Sequence, residues 1–126
     1  MGDTPFGFLR TFDGIRLRYG FWPGKGVTRR GAVLVLGGRT EFMEKYGEAI
    51  AEINLRGFDA FSLDWRGQGL SDRMLADPTR GYIKSFVNYL DDLELFLDKI
   101  VRPNCSGPLV GVAHSMGANK IGRAHV

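Results

Sequence analysis

The run Ala32-Val33-Leu34-Val35-Leu36 constrains the fold more than any other stretch of this chain. It is apolar on both faces, so a strand formed here needs a cover on each side. That is the situation of an inner strand in a parallel sheet flanked by helices. Residues 58–63 and Leu109-Val110-Gly111-Val112-Ala113 read as two more inner strands. Between the three lie stretches of helical spacing. Phe42, Met43, Tyr46, Ile50 and Ile53 form one apolar stripe, with the Thr40 hydroxyl placed to cap its start and Gly57 to stop it. Phe86, Leu90, Leu93, Leu97 and Ile100 mark the buried side of a helix over residues 82–101, on which Asp91 and Asp92 read as solvated face. Ahead of these, residues 8–12 and 15–22 flank Asp13-Gly14, a favoured tight turn, and predict a hairpin. The order predicts an α/β fold, a three-layer α-β-α sandwich with right-handed crossovers, and the length falls in the range of one small domain.

Bulk properties exclude several functions. The 17 basic and 14 acidic residues are interleaved, so the net charge of +3 speaks of solubility before it speaks of a partner. Arg29-Arg30 reads as solvated surface, and no nucleic-acid-reading motif accompanies it. Cys105 is the only cysteine, which rules out an internal disulfide. The start, MGDTPFGFLR, lacks the basic and apolar runs of a signal peptide, and Phe6 stands where myristoylation wants Ser or Thr. No apolar run is long enough to span a membrane, and a cytoplasmic location is the expectation.

Chemistry concentrates in Ala113-His114-Ser115-Met116-Gly117. A nucleophilic serine must be raised clear of the sheet on a tight strand-to-helix turn, and small residues two before and two after it let the backbone turn that sharply. Here they are Ala113 and Gly117, alanine replacing the usual glycine at the cost of one methyl. Gly37-Gly38 ends an earlier strand where an oxyanion loop is expected. A dinucleotide site is excluded, because Gly37-Gly38 and Gly67-x-Gly69 lack the spaced three-glycine fingerprint, and no Gly-Lys-Ser/Thr is present.

With Asp64-Trp65-Arg66-Gly67-Gln68-Gly69-Leu70-Ser71 added, the chain resembles the monoacylglycerol lipase and lysophospholipase branch of the α/β-hydrolases, a branch sometimes grouped with serine aminopeptidases. The loop phrase Asp-x-x-Gly-x-Gly-x-Ser fits completely and the elbow fits except at Ala113. The likeness runs through residues 8–118. It implies Ser115 as nucleophile, backbone N–H groups of Met116 and Arg39 as oxyanion donors, and Ala113, His114, Gly117, Gly37, Gly38, Asp64, Gly67 and Gly69 as supports of the elbow and loops. The branch carries His-Gly where this chain has Gly37-Gly38, a change that leaves backbone donors in place. Asp64 belongs to the loop phrase, not to the triad, since the catalytic acid follows the nucleophile in this fold. Trp65 and Arg66 are candidates for the border of the cleft, and packing explains Trp65 equally well.

The triad itself runs out. A serine hydroxyl needs a base within about 3 Å and an acid behind it. His114 is bonded directly to Ser115 and points elsewhere. His125 lies ten residues on, roughly 15 Å away along a continuing helix. By resemblance residues 1–126 are the N-terminal part of a single domain, truncated after the nucleophile elbow, and the acid, the histidine and a lid segment come later in such proteins. Residues 118–126 also drift from the apolar helix usual there, with Lys120, Gly122 and Arg123. A truncation, a partial gene or a frameshifted end would each fit. The whole protein is expected to hydrolyse monoacylglycerols, lysophospholipids or other small esters, without metal or organic cofactor. The rivals are amide or peptide hydrolysis, and a catalytically incomplete fragment with an assembly role. The family's strand order puts this strand centrally, so the resemblance implies that residues 109–113 would here be an apolar edge open to self-association.

Overall fold

The computed structural model describes residues 5–25, 30–37, 43–66, 82–105 and 107–113. Five strands form one sheet: β1 (Phe6–Arg10), β2 (Arg16–Trp22), β3 (Gly31–Leu36), β4 (Phe58–Leu63) and β5 (Leu109–Ala113), in the order β1-β2-β4-β3-β5. The β1–β2 and β2–β4 pairs are antiparallel, whereas β3 pairs in parallel with both β4 and β5. Two main helices join the parallel strands: α1 (Gly47–Leu55), entered through a 3-10 turn at Met43–Tyr46, and α2 (Tyr82–Phe96).

Side chains alternate across each strand, so each face has its own core. Leu34 and Leu36 of β3 join Leu17, Phe61, Leu63 and Trp65 on one face, under Leu93, Phe96, Leu97 and Val101 of the α2 segment. Phe21 and Phe61 stack there with ring centroids 4.6 Å apart. Val33, Val35 and Ala60 are buried on the other face, the side of Met43 and Ile50. The chain crosses the sheet in opposite directions from β3 to β4 and from β4 to β5. A single crossover hand therefore puts the two helices on opposite faces, as found.

Several expectations change in detail. The hairpin turn is wider than Asp13-Gly14: the ladder ends at Arg10 opposite Arg16, and Gly14 N–H donates to the Thr11 carbonyl at 3.0 Å. Gly14 takes the left-handed position, φ +85°, that closes a three-residue loop. Thr40 lies outside the described residues. The Met43 N–H at the start of the 3-10 turn is satisfied instead by Asp64, at 3.0 Å from Oδ1. Gly57, at φ +91°, ends α1 as expected.

The long helix runs past residue 101. It widens into a π-type segment, Leu97–Val101, in which the Arg102 N–H reaches the Leu97 carbonyl. Pro103 follows in the last turn, Arg102–Asn104, and has no N–H to offer the carbonyl four residues back. The reading of Asp92 as solvated face is corrected: Asp91 is exposed but Asp92 is buried, because Arg66 meets it from beneath the helix.

Candidate functional site around three strand ends

The parallel strands β3, β4 and β5 end at one rim. Register fixes their relation: Leu36 pairs with Ala113 and Val35 with Ser62. Gly37, next after β3, is buried, and Asp64 follows the end of β4. Ala113, half-buried, is the last residue of β5. Asp64, Gly37 and Ala113 therefore sit along one rim, which is where ligands bind in open α/β sheets. Gly38, Arg39, Gly67, Gly69, His114, Ser115, Met116 and Gly117 lie outside the described residues.

Asp64 is buried and held on both oxygens. Arg18 Nε donates to Oδ2 at 3.0 Å and the Met43 N–H to Oδ1 at 3.0 Å, while Arg18 Nη2 also donates to Glu44 at 2.7 Å. The Asp64 N–H donates to the Arg18 carbonyl at 2.9 Å. One carboxylate thus ties the end of β4 to β2 and to the entry of α1. Burial opposes ionisation of Glu44, but its hydrogen bonds, from Arg18 above all, together with the Arg18 charge hold the carboxyl below its usual range. The charge-assisted bonds explain that net direction.

Trp65 and Arg66 are both buried. The Trp65 Nε1–H donates to the Gly37 carbonyl at 3.1 Å, and the indole meets Tyr89 edge-on at 5.8 Å. The base of the Gly37-Gly38 loop is thereby pinned to the start of the Asp64 loop. Arg66 lies between two carboxylates. Its Nε and Nη2 donate to Asp92 at 2.6 and 2.7 Å, and Nη1 and Nη2 donate to Asp13 at 2.9 and 3.1 Å.

Burial pushes the Asp92 carboxyl up, against the pull of Arg66. The two aspartates raise Arg66 despite its own burial. Asp92 and Arg66 nonetheless form an ion pair at neutral pH, because a two-point fork this short is made by the charged partners. Asp13, half-exposed, is held down to about 2, chiefly by its hydrogen bonds from Arg66.

Both arginine clusters escape sequence reasoning. Arg18 sits inside an apolar strand and Arg66 inside the loop phrase, and neither position names a partner. Among the described residues no group of three or more His, Cys, Asp or Glu is placed to hold a metal ion. Nor is any described helix long and apolar enough to cross a membrane.

Comparison with known proteins agrees with this geometry. The profile of the family described as serine aminopeptidase, S33, matches residues 28–124. The chain is similar to lysophospholipase L2 of Escherichia coli (strain K12), 41% identical over 85 residues, or 68% of this chain and 25% of that protein. It is also similar to monoglyceride lipase of Saccharomyces cerevisiae, 31% identical over 111 residues, or 84% of this chain and 34% of that protein. Among solved structures, an α/β hydrolase from Novosphingobium aromaticivorans superposes with a TM-score of 0.73 at 22% identity, covering 95% of this chain and 39% of that one. A soluble variant of the Saccharomyces cerevisiae monoglyceride lipase, in complex with a substrate analog, gives 0.67 at 25% identity, covering 93% and 37%. The chain thus spans 25% to 34% of the length of these curated relatives.

Proposed function

Because the chain belongs to the serine aminopeptidase S33 family of α/β-hydrolases, we propose that it supplies the nucleophile-bearing part of a serine hydrolase that cleaves carboxylic esters through an acyl-enzyme at Ser115. The observation that carries this reading is the register of Leu36 against Ala113. It starts the Gly37-Gly38-Arg39 loop beside the strand that runs into Ala113-His114-Ser115-Met116-Gly117. Oxyanion loop and elbow have to be neighbours for two backbone N–H groups to meet one oxygen.

In this reading Ser115 Oγ bonds to the ester carbonyl carbon as its proton passes to a histidine. The oxygen that becomes negative is held by the Met116 and Arg39 N–H groups, each worth ~3 kcal/mol in the transition state. The carbon–oxygen bond to the leaving alcohol then breaks and the histidine returns the proton to it. Water repeats the sequence on the acyl-enzyme. Asp64, Gly37, Gly38, Gly67, Gly69, His114 and Gly117 support the loops and touch no reacting atom. Neither His114 nor His125 serves as base, so the histidine and its acid come from residues outside these 126, and this chain by itself does not turn over esters.

The names of the relatives, a lysophospholipase and a monoglyceride lipase, favour lysophospholipids or monoacylglycerols as substrates. The family's aminopeptidase description supports a second reading, amide or peptide hydrolysis on the same elbow. The outer side of β5, with Val110 and Val112 half-exposed, is the surface through which the chain self-associates. A chimera tests the nucleophile. Residues 8–118 replace the matching part of the Escherichia coli lysophospholipase L2, with and without Ser115→Ala. Hydrolysis of a lysophospholipid that disappears with Ser115→Ala supports the reading. A folded chimera whose activity survives that substitution overturns it.

A further inference from the structure

Arg18 grips both sides of one hydrogen bond. Its Nε donates to Asp64 Oδ2 at 3.0 Å, and its Nη2 donates to both Glu44 oxygens at 2.7 Å. Asp64 accepts the Met43 N–H at 3.0 Å from Oδ1, and Glu44 is the residue after Met43. One planar guanidinium therefore fixes the acceptor with one nitrogen and the neighbour of the donor with another. A lysine ammonium offers no such fork, being a point charge on a flexible stem.

The grip lies mostly out of water. The side chains of Arg18 and Asp64 are 6% and 0% exposed, and that of Glu44 is half-exposed. A carboxylate enclosed to that degree needs a cation and hydrogen-bond donors about it. Arg18 supplies the cation, while Oδ1 takes the Met43 N–H.

Met43 is one end of a short span whose other end is also tied. Trp65, next after Asp64, donates its Nε1–H to the Gly37 carbonyl at 3.1 Å. Two consecutive residues at the end of β4 thus hold both ends of residues 37–43. A segment tied at one foot keeps a choice of direction, whereas ties at both feet fix its span. Trp65 secures the first foot, and Arg18, through Asp64 and Glu44, secures the second. Arg39 belongs to this span.

We propose that Arg18 is a positioning residue for ester cleavage, setting where residues 37–43 end and so where the Arg39 N–H stands. The proposal rests on the acyl-enzyme reading above, in which Arg39 supplies an oxyanion donor. Arg18 itself touches no reacting atom. A misplacement of about 1 Å costs on the order of a hundredfold in rate. Oxyanion donors act on the transition state, so the loss falls on kcat and not on KM.

The test has two readouts. In the 126-residue chain, amide hydrogen exchange at Met43 is compared among the parent, Arg18→Lys and Glu44→Gln, with circular dichroism showing each folded. Arg18→Lys is expected to quicken exchange at Met43 about tenfold, with exchange in β3 changed less than about twofold. Glu44→Gln, at a half-exposed position that leaves the fold in place, is expected to quicken it about threefold.

In the chimera with the Escherichia coli lysophospholipase L2, Arg18→Lys is expected to lower kcat about tenfold and leave KM within about twofold. Adding Arg18→Lys to Asp64→Ala is expected to lower kcat no further, because the acceptor that Arg18 holds is already gone. Folded Arg18→Lys and Glu44→Gln chains with parental exchange at Met43 overturn the proposal. A chimera that needs Ser115 yet keeps its kcat with Arg18→Lys, or changes only in KM, overturns the proposal alone. Activity that survives Ser115→Ala is a different failure: it overturns the acyl-enzyme reading and takes the role of Arg39 with it.

Discussion

Arg66 and Asp92 meet in a two-point fork, Nε to Oδ2 at 2.6 Å and Nη2 to Oδ1 at 2.7 Å, with both side chains buried beneath α2. Through the same guanidinium the fork extends to Asp13 at the hairpin turn. One side chain from the loop after β4 therefore binds the first hairpin and the long helix together. Removing one member of a buried pair strands the other in a poorly solvated place. Asp92→Ala is expected to cost ~3–5 kcal/mol of unfolding free energy in a urea titration. Arg66→Met combined with Asp92→Leu is expected to recover much of that loss, since no lone charge remains.

Acid should act on the same cluster. Asp13 is depressed from 3.8 to about 2 in the folded chain, chiefly by Arg66. A depressed carboxyl contributes stability that is present above its unfolded value and lost as pH falls through its folded value. The window is therefore pH 3.8 down to about 2. Glu44, also lowered, adds in the same sense, while Asp92, raised by burial, works against them. The Asp13 side chain is 51% exposed, so solvent keeps its share below ~1 kcal/mol. Urea midpoints of Asp13→Asn, followed across that window, are expected to fall less steeply than those of the parent.

Trp65 is expected to order the loop that begins at Gly37. Trp65→Phe keeps most of the buried volume but removes the Nε1–H that binds the Gly37 carbonyl at 3.1 Å. The loss in stability is expected to be ~1 kcal/mol. Amide hydrogen exchange at residues 38–40 should quicken more than exchange in β3. Unchanged exchange there would separate the indole from the loop.

Self-association should respond to the outer side of β5. Val110 and Val112 are 53% and 54% exposed, so lysine at either position leaves the core intact. Charge on an edge strand blocks edge-to-edge pairing. Val112→Lys is expected to remove concentration-dependent association in sedimentation velocity while leaving the unfolding midpoint within about 0.5 kcal/mol of the parent.

Much of the fold was legible because burial leaves periodic marks. The all-apolar run at 32–36 and the helical stripe of Leu93 and Leu97 report their surroundings directly. Gly57 marked a helix end for the same reason that it takes a positive φ. The polar interior was not legible. Asp92 occupies a helix position next to the exposed Asp91, and periodicity does not reveal an arginine arriving from residue 66. Arg18 is similar: only the folded sheet brings it to Asp64, 46 residues away in sequence. The elbow is an expectation drawn from the small residues around Ser115, whereas the position of Leu36 beside Ala113 depends on strand register, which no local pattern states.

The most direct measurement is hydrolysis of p-nitrophenyl butyrate by the 126-residue chain, beside its Ser115→Ala form, with circular dichroism showing both folded. Equal, background-level rates are expected, because in the proposed reading neither His114 nor His125 serves as base for the Ser115 proton. Turnover that vanishes with Ser115→Ala would contradict this, and would mean that a histidine of this chain reaches Ser115 after all.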